Sequence, residues 1–230
     1  MHQHQTAILF FSRSARAECQ YKILDKQLPY THNLKLIKQN ISAAYTKIVD
    51  SGLPFFVFDE NRQSGNSFGE KLSVAARECF GFGYKHLIIV GNDCPDLEAS
   101  DMQLAAVQLQ SGKSVLGKDK RGGFYLVGIS KDLFDAQVFE QLPWSTPCLQ
   151  DAMACWLTEL GKEFLFLDEK SDINTTSDYD NISDSYILRF YRNINSQFSF
   201  YFKRNIQPTD FELLFGFLNI FKLRGPPFFG

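Results

Sequence analysis

Two aspartates follow a short aliphatic run in the middle of the chain. Residues 87–91, LIIVG, are almost entirely aliphatic, and Asp93 and Asp96 come within the next five positions. Such a run ending at a glycine is typical of a buried strand. Carboxylates at its end can bind a hard divalent cation that also coordinates a phosphorylated ligand. On spacing alone, the pair fits equally a solvated turn, or a cap for a helix that begins near Ser100.

The elements that must position these aspartates follow a regular order. From TAILFF to SVLG, short apolar runs alternate with amphipathic segments of helix length. This order predicts an α/β domain in which crossover helices join parallel strands. Ser67 with Glu70, and Ser100 with Gln103, have the spacing of capping boxes at helix starts. A turn at Gly122-Gly123 predicts a strand pair, and therefore a mixed sheet.

Composition and cysteine usage exclude several classes of protein. The 230 residues are 44% hydrophobic, with a formal charge of −2 and a pI near 6.1, so no basic field for nucleic acid or an anionic membrane is predicted. The five cysteines are widely spaced and form no CxxC pair, which favours a reducing cytoplasm over a disulfide framework. There is no basic leader and no run of about 18 apolar residues, so neither a signal peptide nor a transmembrane segment is predicted.

The C-terminal part of the chain differs in composition. From residue 183 onward there are 13 Phe or Tyr residues, and the last predicted helix, FELLFGFLNIFKL, is apolar nearly all round. A helix of this kind has to be buried. We therefore predict an α/β domain over residues 1–182 and a helical extension over 183–230, packed on that domain or in a homodimer interface.

Five segments resemble, in their order and separation, the selenodomain-associated transferases. They are QSGNSFGEKL, VGNDCPDL, GKDKRGGFYLVGI, LPWST and DINTTSDYD, and the resemblance spans about residues 63–180. That family looks like the GT-A group of nucleotide-diphospho-sugar transferases, whose broader relatives include molybdenum-cofactor guanylyltransferases. The resemblance implies a GT-A-like, three-layer α/β/α sandwich with a mostly parallel, mixed central sheet.

The resemblance also implies roles for individual residues. The family's G-x-D-x-P signature makes Asp93 a metal-facing carboxylate for Mg²⁺ or Mn²⁺, with Asp96 beside it as a second catalytic candidate. Asp172 opens the last segment and is the second candidate metal ligand, although that loop also fits an ordinary turn that caps a helix. Trp144 can stack on a sugar or base, or can be a packing anchor. The candidate ligand-binding residues are Arg13, Gln63, Gly65, Gly69, Gly91, Asn92, Gly122, Gly123, Trp144, Ser145, Asn174 and Thr175.

The chain departs from the family pattern at two places. The family's first strand leads into a phosphate-facing G-x-x-K-T-R-L loop, whereas here SRSARAECQYKIL follows and offers Arg13, Arg16 and Lys22 without the glycine. A cationic surface loop is the alternative for this segment. Arg121 stands where the family has an acidic residue, and this reverses the local charge. The KDKR segment that contains Arg121 is interpreted as a solvated hairpin tip rather than a site for an anionic acceptor.

The resulting functional hypothesis is a metal-dependent transferase that moves a glycosyl group from a nucleotide-diphospho-sugar. A nucleotidyltransferase is the alternative enzyme, because the same fold serves both reactions. The altered first loop and Arg121 also fit a degenerate homologue that binds a ligand or partner without turnover. An assembly protein is a further alternative, which depends on the aromatic C-terminal segment alone. A nucleotide or nucleotide-sugar is the predicted partner.

Overall fold

The computed structural model describes residues 5–24 and 29–173. All of these residues fall within one compact unit, Met1–Asn181. The predicted extension over residues 183–230, the homodimer through it, and the candidate residues Asn174 and Thr175 lie outside the described residues, so they remain predictions.

The predicted alternation of strands and helices is confirmed, with two additional short helices, one after the first strand and one after the fifth. The strands are β1 (Thr6–Phe11), β2 (Phe55–Phe58), β3 (His86–Val90), β4 (Ser114–Asp119), β5 (Phe124–Ser130) and β6 (Phe164–Lys170). The helices are α1 (Ala15–Tyr21), α2 (Tyr30–Asp50), α3 (Phe68–Gly81), α4 (Ala99–Gln110), α5 (Ala136–Gln141) and α6 (Leu149–Glu159). Within the described ranges, no helix combines the length and apolar composition needed to cross a bilayer.

The strands form a mixed six-stranded sheet in the order β2-β1-β3-β5-β4-β6. Strand β5 runs antiparallel to β3 and β4, whereas the pairs β1–β2, β1–β3 and β4–β6 are parallel. The register pairs Val90 at the end of β3 with Leu126 near the start of β5. Consequently the start of β5 lies at the same edge of the sheet as the ends of β3, β4 and β6.

Helices cover both faces of this sheet. Side chains alternate along a strand, so Ala7 and Leu9 of β1 point to one face while Ile8 and Phe10 point to the other. The first face packs with buried residues of α3, α5 and α6, and the second with buried residues of α2 and α4. The predicted three-layer α/β fold is therefore confirmed.

One of the two predicted helix caps is observed. Ser67 precedes α3, and its hydroxyl accepts the backbone N–H of Glu70 at 3.0 Å. The prediction that Ser100 caps α4 was wrong, because Glu98 is the N-cap and Ser100 already lies inside the helix. The Asp101 carboxylate accepts the Glu98 N–H at 2.8 Å, which completes a capping box made of two acidic residues.

Candidate active site at the carboxyl edge of the sheet

A cavity of about 530 Å³ lies where β3, β4 and β6 end. Its lining comes from the loop after β3, the β4–β5 turn, the segment that precedes α6, and the loop after β6. Ligands of open α/β sheets bind outside the carboxyl ends of the strands, where the loops diverge. The cavity therefore occupies the place in the fold where a substrate site is expected.

The loop after β3 brings Asp93 to the cavity. Its carboxylate accepts a hydrogen bond from the Lys22 ammonium, with Oδ1 and Nζ 2.5 Å apart. Lys22 is only 10% exposed at its side chain, whereas Asp93 is 36% exposed. The Ile173 N–H donates to the Asp93 carbonyl at 2.8 Å, so the loop after β6 is fixed against the loop after β3.

The β4–β5 turn holds a second carboxylate in the cavity. Asp119 is the last residue of β4 and is buried, and its Oδ1 accepts the backbone N–H groups of Arg121 at 2.6 Å and Gly123 at 3.0 Å. A Cβ on Gly123 would lie 2.4 Å from Asp119 Oδ2, so glycine is needed for this close approach. Gly122 has φ +93°, and a Cβ there would lie 2.3 Å from the Pro147 carbonyl oxygen. The turn therefore fixes the position of the Asp119 carboxylate.

Asp172 supplies a third carboxylate from the loop after β6. Its Oδ1 is buried and accepts no hydrogen bond from the described residues. Burial raises the pKa of Asp172 to about 8, and the negative charges of Asp119 and Asp93 and a hydrogen bond with Asp119 act in the same direction. The raised pKa favours the neutral form of Asp172 near neutral pH, and within residues 5–24 and 29–173 its Oδ1 has no partner inside the cavity.

These three aspartates face one cavity without closing round a common point. Among residues 5–24 and 29–173, no three His, Cys, Asp or Glu side chains are grouped so that they could enclose a metal ion. Magnesium and manganese sites commonly use only one or two carboxylates, because water and substrate phosphate oxygens fill the remaining positions. The arrangement is therefore suited to a cation that arrives together with an anionic ligand.

Another part of the cavity lining is aromatic. Phe68 contacts Phe11 edge-on, with ring centroids 5.6 Å apart, and Trp144 at 5.8 Å. The Trp144 indole N–H donates to the Phe139 carbonyl at 2.6 Å, so this ring is both a packing anchor and part of the lining. Ser145, the next residue, also lines the cavity and has φ +62°, a conformation that non-glycine residues adopt rarely.

The structure brings about half of the predicted site residues together. Those that line the cavity are Gly91, Asn92, Asp93, Gly123, Trp144, Ser145 and Asp172. The described candidates outside the lining are Arg13, Gln63, Gly65, Gly69, Asp96 and Gly122. Gly122 nevertheless belongs to the turn that holds Asp119.

The remaining candidates make local contacts instead. The Arg13 guanidinium pairs with Glu18 at 3.2 Å and lies over the Tyr21 ring. The Gln63 amide donates to the Phe58 carbonyl at 2.9 Å. These side chains therefore brace their own segments.

The two glycines of the Q-x-G-x-x-x-G segment are closely packed against neighbouring atoms. A Cβ on Gly69 would lie 2.3 Å from the Glu140 carbonyl oxygen, and one on Gly65 would lie 2.8 Å from Glu70 Cγ.

Asp96 contributes through its main chain. Its carbonyl oxygen accepts a hydrogen bond from the Lys170 ammonium at 2.9 Å. The main-chain role of Asp96 thus ties the loop after β3 to the end of β6.

Sequence reasoning missed Asp119 and the pairing of Lys22 with Asp93. Asp119 lies inside the KDKR segment, which was interpreted as a solvated hairpin tip, yet its side chain is buried. The available signal was its place at the end of a strand before Gly122-Gly123, which parallels the place of Asp93 after β3. Lys22 is 71 positions from Asp93, so no local pattern links the two.

Comparison with known proteins agrees with this fold. Residues 55–146 match the family model described as "Uncharacterized protein conserved in bacteria (DUF2064)". A crystal structure of a candidate nucleotide-diphospho-sugar transferase from Desulfovibrio desulfuricans G20 superposes with a TM-score of 0.68 at 20% identity, covering 75% of this chain and 84% of that one. This stretch of the chain resembles that family, and the superposition shows a shared fold. At that identity the superposition establishes the fold alone.

Other solved structures are less similar to this chain. A nucleotidyl transferase from Methanothermobacter thermautotrophicus has a TM-score of 0.47 at 14% identity. The match covers 80% of this chain and 98% of that one. A Mycobacterium tuberculosis H37Rv protein in complex with manganese has a TM-score of 0.45 at 13% identity. The match covers 79% of this chain and 99% of that one. No curated protein matches the sequence.

Proposed function

We propose that this protein is a metal-dependent transferase that moves a glycosyl group from a nucleotide-diphospho-sugar to an acceptor. The observation that carries the proposal is the convergence of Asp93, Asp119 and Asp172 on one cavity at the carboxyl edge of the sheet. A structural relative of this fold is described as a candidate nucleotide-diphospho-sugar transferase, which supports the same substrate class.

The residues of the cavity fit a divalent cation. Carboxylate oxygens are the ligands that Mg²⁺ and Mn²⁺ prefer, and the buried, unpartnered Oδ1 of Asp172 is a position that a cation would satisfy. Asp93 and Asp172 would hold the ion, and Asp119, adjacent to Asp172, would add negative charge. When bound, the ion would neutralise charge that develops on the departing diphosphate.

The protein's own residues would orient the donor. The aromatic side of the cavity, formed by Phe11, Phe68 and Trp144, offers flat apolar surface for a base or a sugar face. Arg121 lines the same cavity, and its guanidinium would pair with an anionic group of the substrate. Burial of the donor between these two sides would exclude water, and so limit hydrolysis in favour of transfer.

Two other functions can be separated from this one. A nucleotidyltransferase on the same fold would release pyrophosphate, whereas a glycosyltransferase releases a nucleoside diphosphate, so product analysis distinguishes them. A degenerate ligand-binding homologue is favoured by the pairing of Lys22 with Asp93, because that ammonium occupies a candidate metal ligand. Such a protein would bind ligand without turnover.

Thermal unfolding with nucleotides and nucleotide-sugars, with and without Mn²⁺, tests the proposal. A ligand at a hundredfold excess over its Kd raises stability by about 2.7 kcal/mol. We expect a metal-dependent shift with one nucleotide class, lost in Asp93→Asn and retained in Asp50→Asn, an exposed control at the end of α2. The absence of a shift with every ligand, from a cooperatively folded sample, would contradict the proposal.

A further inference from the structure

The β4–β5 turn, residues 119–123, receives hydrogen bonds from Gln150, the second residue of α6. Gln150 Nε2 donates to the Asp119 carbonyl oxygen at 2.8 Å and to the Gly123 carbonyl oxygen at 2.7 Å. The backbone N–H of Gln150 donates to the Gly122 carbonyl at 3.2 Å. A single residue of a helix distant in sequence therefore binds three carbonyl groups of the turn.

These hydrogen bonds act where strand pairing is irregular. The pairing of β4 with β5 shifts register between Gly117 and Lys118, and the pairing of β4 with β6 shifts between Gly117 and Asp119. The end of β4 is therefore not held by a regular ladder on either side. Since the Gln150 amide joins Asp119 to Gly123, the two ends of the turn, it supplies the fixation that the ladders lack.

The same turn determines where the Asp119 carboxylate points. Asp119 Oδ1 accepts the backbone N–H groups of Arg121 and Gly123, at 2.6 Å and 3.0 Å, so the carboxylate follows any movement of the turn. Asp119 lines the cavity, whereas Gln150 is not among its described lining residues. An effect of Gln150 on a bound ligand would therefore pass through the turn and Asp119.

We propose that Gln150 is a positioning residue of the candidate active site: it holds the β4–β5 turn so that the Asp119 carboxylate faces the cavity, and it thereby strengthens the binding of a divalent cation. The inference rests on the proposed function, because it requires a cation at this cavity. Without the amide the carboxylate stays in the turn, but the turn can shift. A displacement of about 1 Å is enough to weaken a preorganised site.

Substitution of Gln150 tests this role without any assay of transfer. Gln150→Met keeps the length of the side chain and removes both amide donors, and Gln110→Met is the control, since Gln110 is exposed at the end of α4. Mn²⁺ affinity is measured by calorimetry on metal-free protein, alone and with inorganic pyrophosphate, and corrected for the Mn²⁺–pyrophosphate complex. We expect Gln150→Met to bind Mn²⁺ about tenfold more weakly than the unaltered protein, in line with the loss of one or two hydrogen bonds. Gln110→Met should bind Mn²⁺ as the unaltered protein does.

A double-mutant cycle shows whether Gln150 acts through Asp119. Asp119→Asn removes the charge that attracts the cation and should by itself weaken Mn²⁺ binding about tenfold. If Gln150 positions this charge, then adding Gln150→Met to Asp119→Asn should weaken binding by less than about twofold more. A general structural role would instead give independent effects that multiply, and that result would overturn the inference.

Amide hydrogen exchange tests the geometry of the turn in the absence of metal. The backbone N–H groups of Arg121 and Gly123, which donate to Asp119, should exchange about fivefold faster in Gln150→Met. The N–H groups of Ala105 and Ala106, buried in α4, should keep their rates. Unchanged exchange at both turn positions would overturn the inference.

The outcomes separate this inference from the proposed function. Unchanged Mn²⁺ affinity in a cooperatively folded Gln150→Met would overturn the inference and leave the proposed function intact. Gln150→Ser, which lets water reach the carbonyl oxygens, takes the place of Gln150→Met if the latter does not unfold cooperatively. Absence of Mn²⁺ binding in every protein, with or without pyrophosphate, would overturn the proposed function and the inference together.

Discussion

The buried carboxyl of Asp172 predicts an unusual dependence of stability on pH. The pKa of Asp172 is raised from 3.8 to about 8 in the folded protein, mainly by burial. An acid with a raised folded pKa costs no stability below its unfolded pKa, and the penalty grows as the pH rises towards the folded value. Replacement of Asp172 with Asn removes the ionisable group and keeps a side chain of similar shape that can hydrogen-bond to Asp119. The variant should therefore gain stability relative to the parent as the pH rises.

The magnitude follows from the same shift. Between the two pKa values, the unfolding free energy of the parent falls by about 1.36 kcal/mol per pH unit. From about pH 5.5 to about pH 8 the parent therefore loses up to about 3 kcal/mol. We expect the difference in unfolding free energy between Asp172→Asn and the parent to increase by about 2–3 kcal/mol across this interval.

Urea unfolding in metal-free buffer at the two pH values measures this difference. Asp132→Asn is the control, because Asp132 is exposed and burial cannot penalise its charge. A difference between Asp172→Asn and the parent that is the same at both pH values, or that falls as the pH rises, would show that the Asp172 carboxyl is not held neutral by its surroundings. The environment inferred for the candidate metal ligand would then be incorrect.

Two glycine substitutions separate packing from ligand binding. Gly69→Ala should cost about 1–3 kcal/mol of unfolding free energy, because its Cβ would lie 2.3 Å from the rigid Glu140 carbonyl oxygen, whereas Gly81→Ala at the far end of the same helix meets nothing within 4 Å and should cost little. Equal costs in denaturant melts would refute the close approach. Gly123→Ala meets the end of the Asp119 side chain rather than backbone, so it should cost less stability than Gly69→Ala, but displacing this carboxylate from its two backbone hydrogen bonds should weaken Mn²⁺ binding by about tenfold, an effect of about 1.4 kcal/mol. Unchanged Mn²⁺ affinity in calorimetry would argue against a role for Asp119.

The order of the main elements could be predicted from the sequence, and so could the place of Asp93 directly after a buried strand, where it lines the cavity. Both depend on local patterns, namely apolar periodicity and a carboxylate placed directly after a buried strand. The charge of Arg13 suggested a phosphate contact, but its guanidinium contacts Glu18 and Tyr21 in the following helix, and Arg13 does not line the cavity. The pairing of Lys22 with Asp93 also could not be predicted from the sequence, because the packing of distant segments brings the two side chains together.

The α4 cap shows a smaller error of the same kind. Ser100 has the residue type and spacing of a cap, but the chain enters the helix at Ala99, so Glu98 takes that position. The preference of serine for helix starts was outweighed by the reciprocal contact between Glu98 and Asp101. Residue type alone therefore fixes a helix start only to within one or two positions.

The parallel pairing of β4 with β6 determines when the cavity acquires its full chemistry. Ser114 pairs with Phe164, fifty positions further along the chain, and Asp172 follows only two residues after β6 ends. A chain in which β6 has not paired with β4 therefore carries Asp93 and Asp119 but lacks Asp172 at the cavity. Under the proposed function, metal affinity would report that this pair of strands has formed.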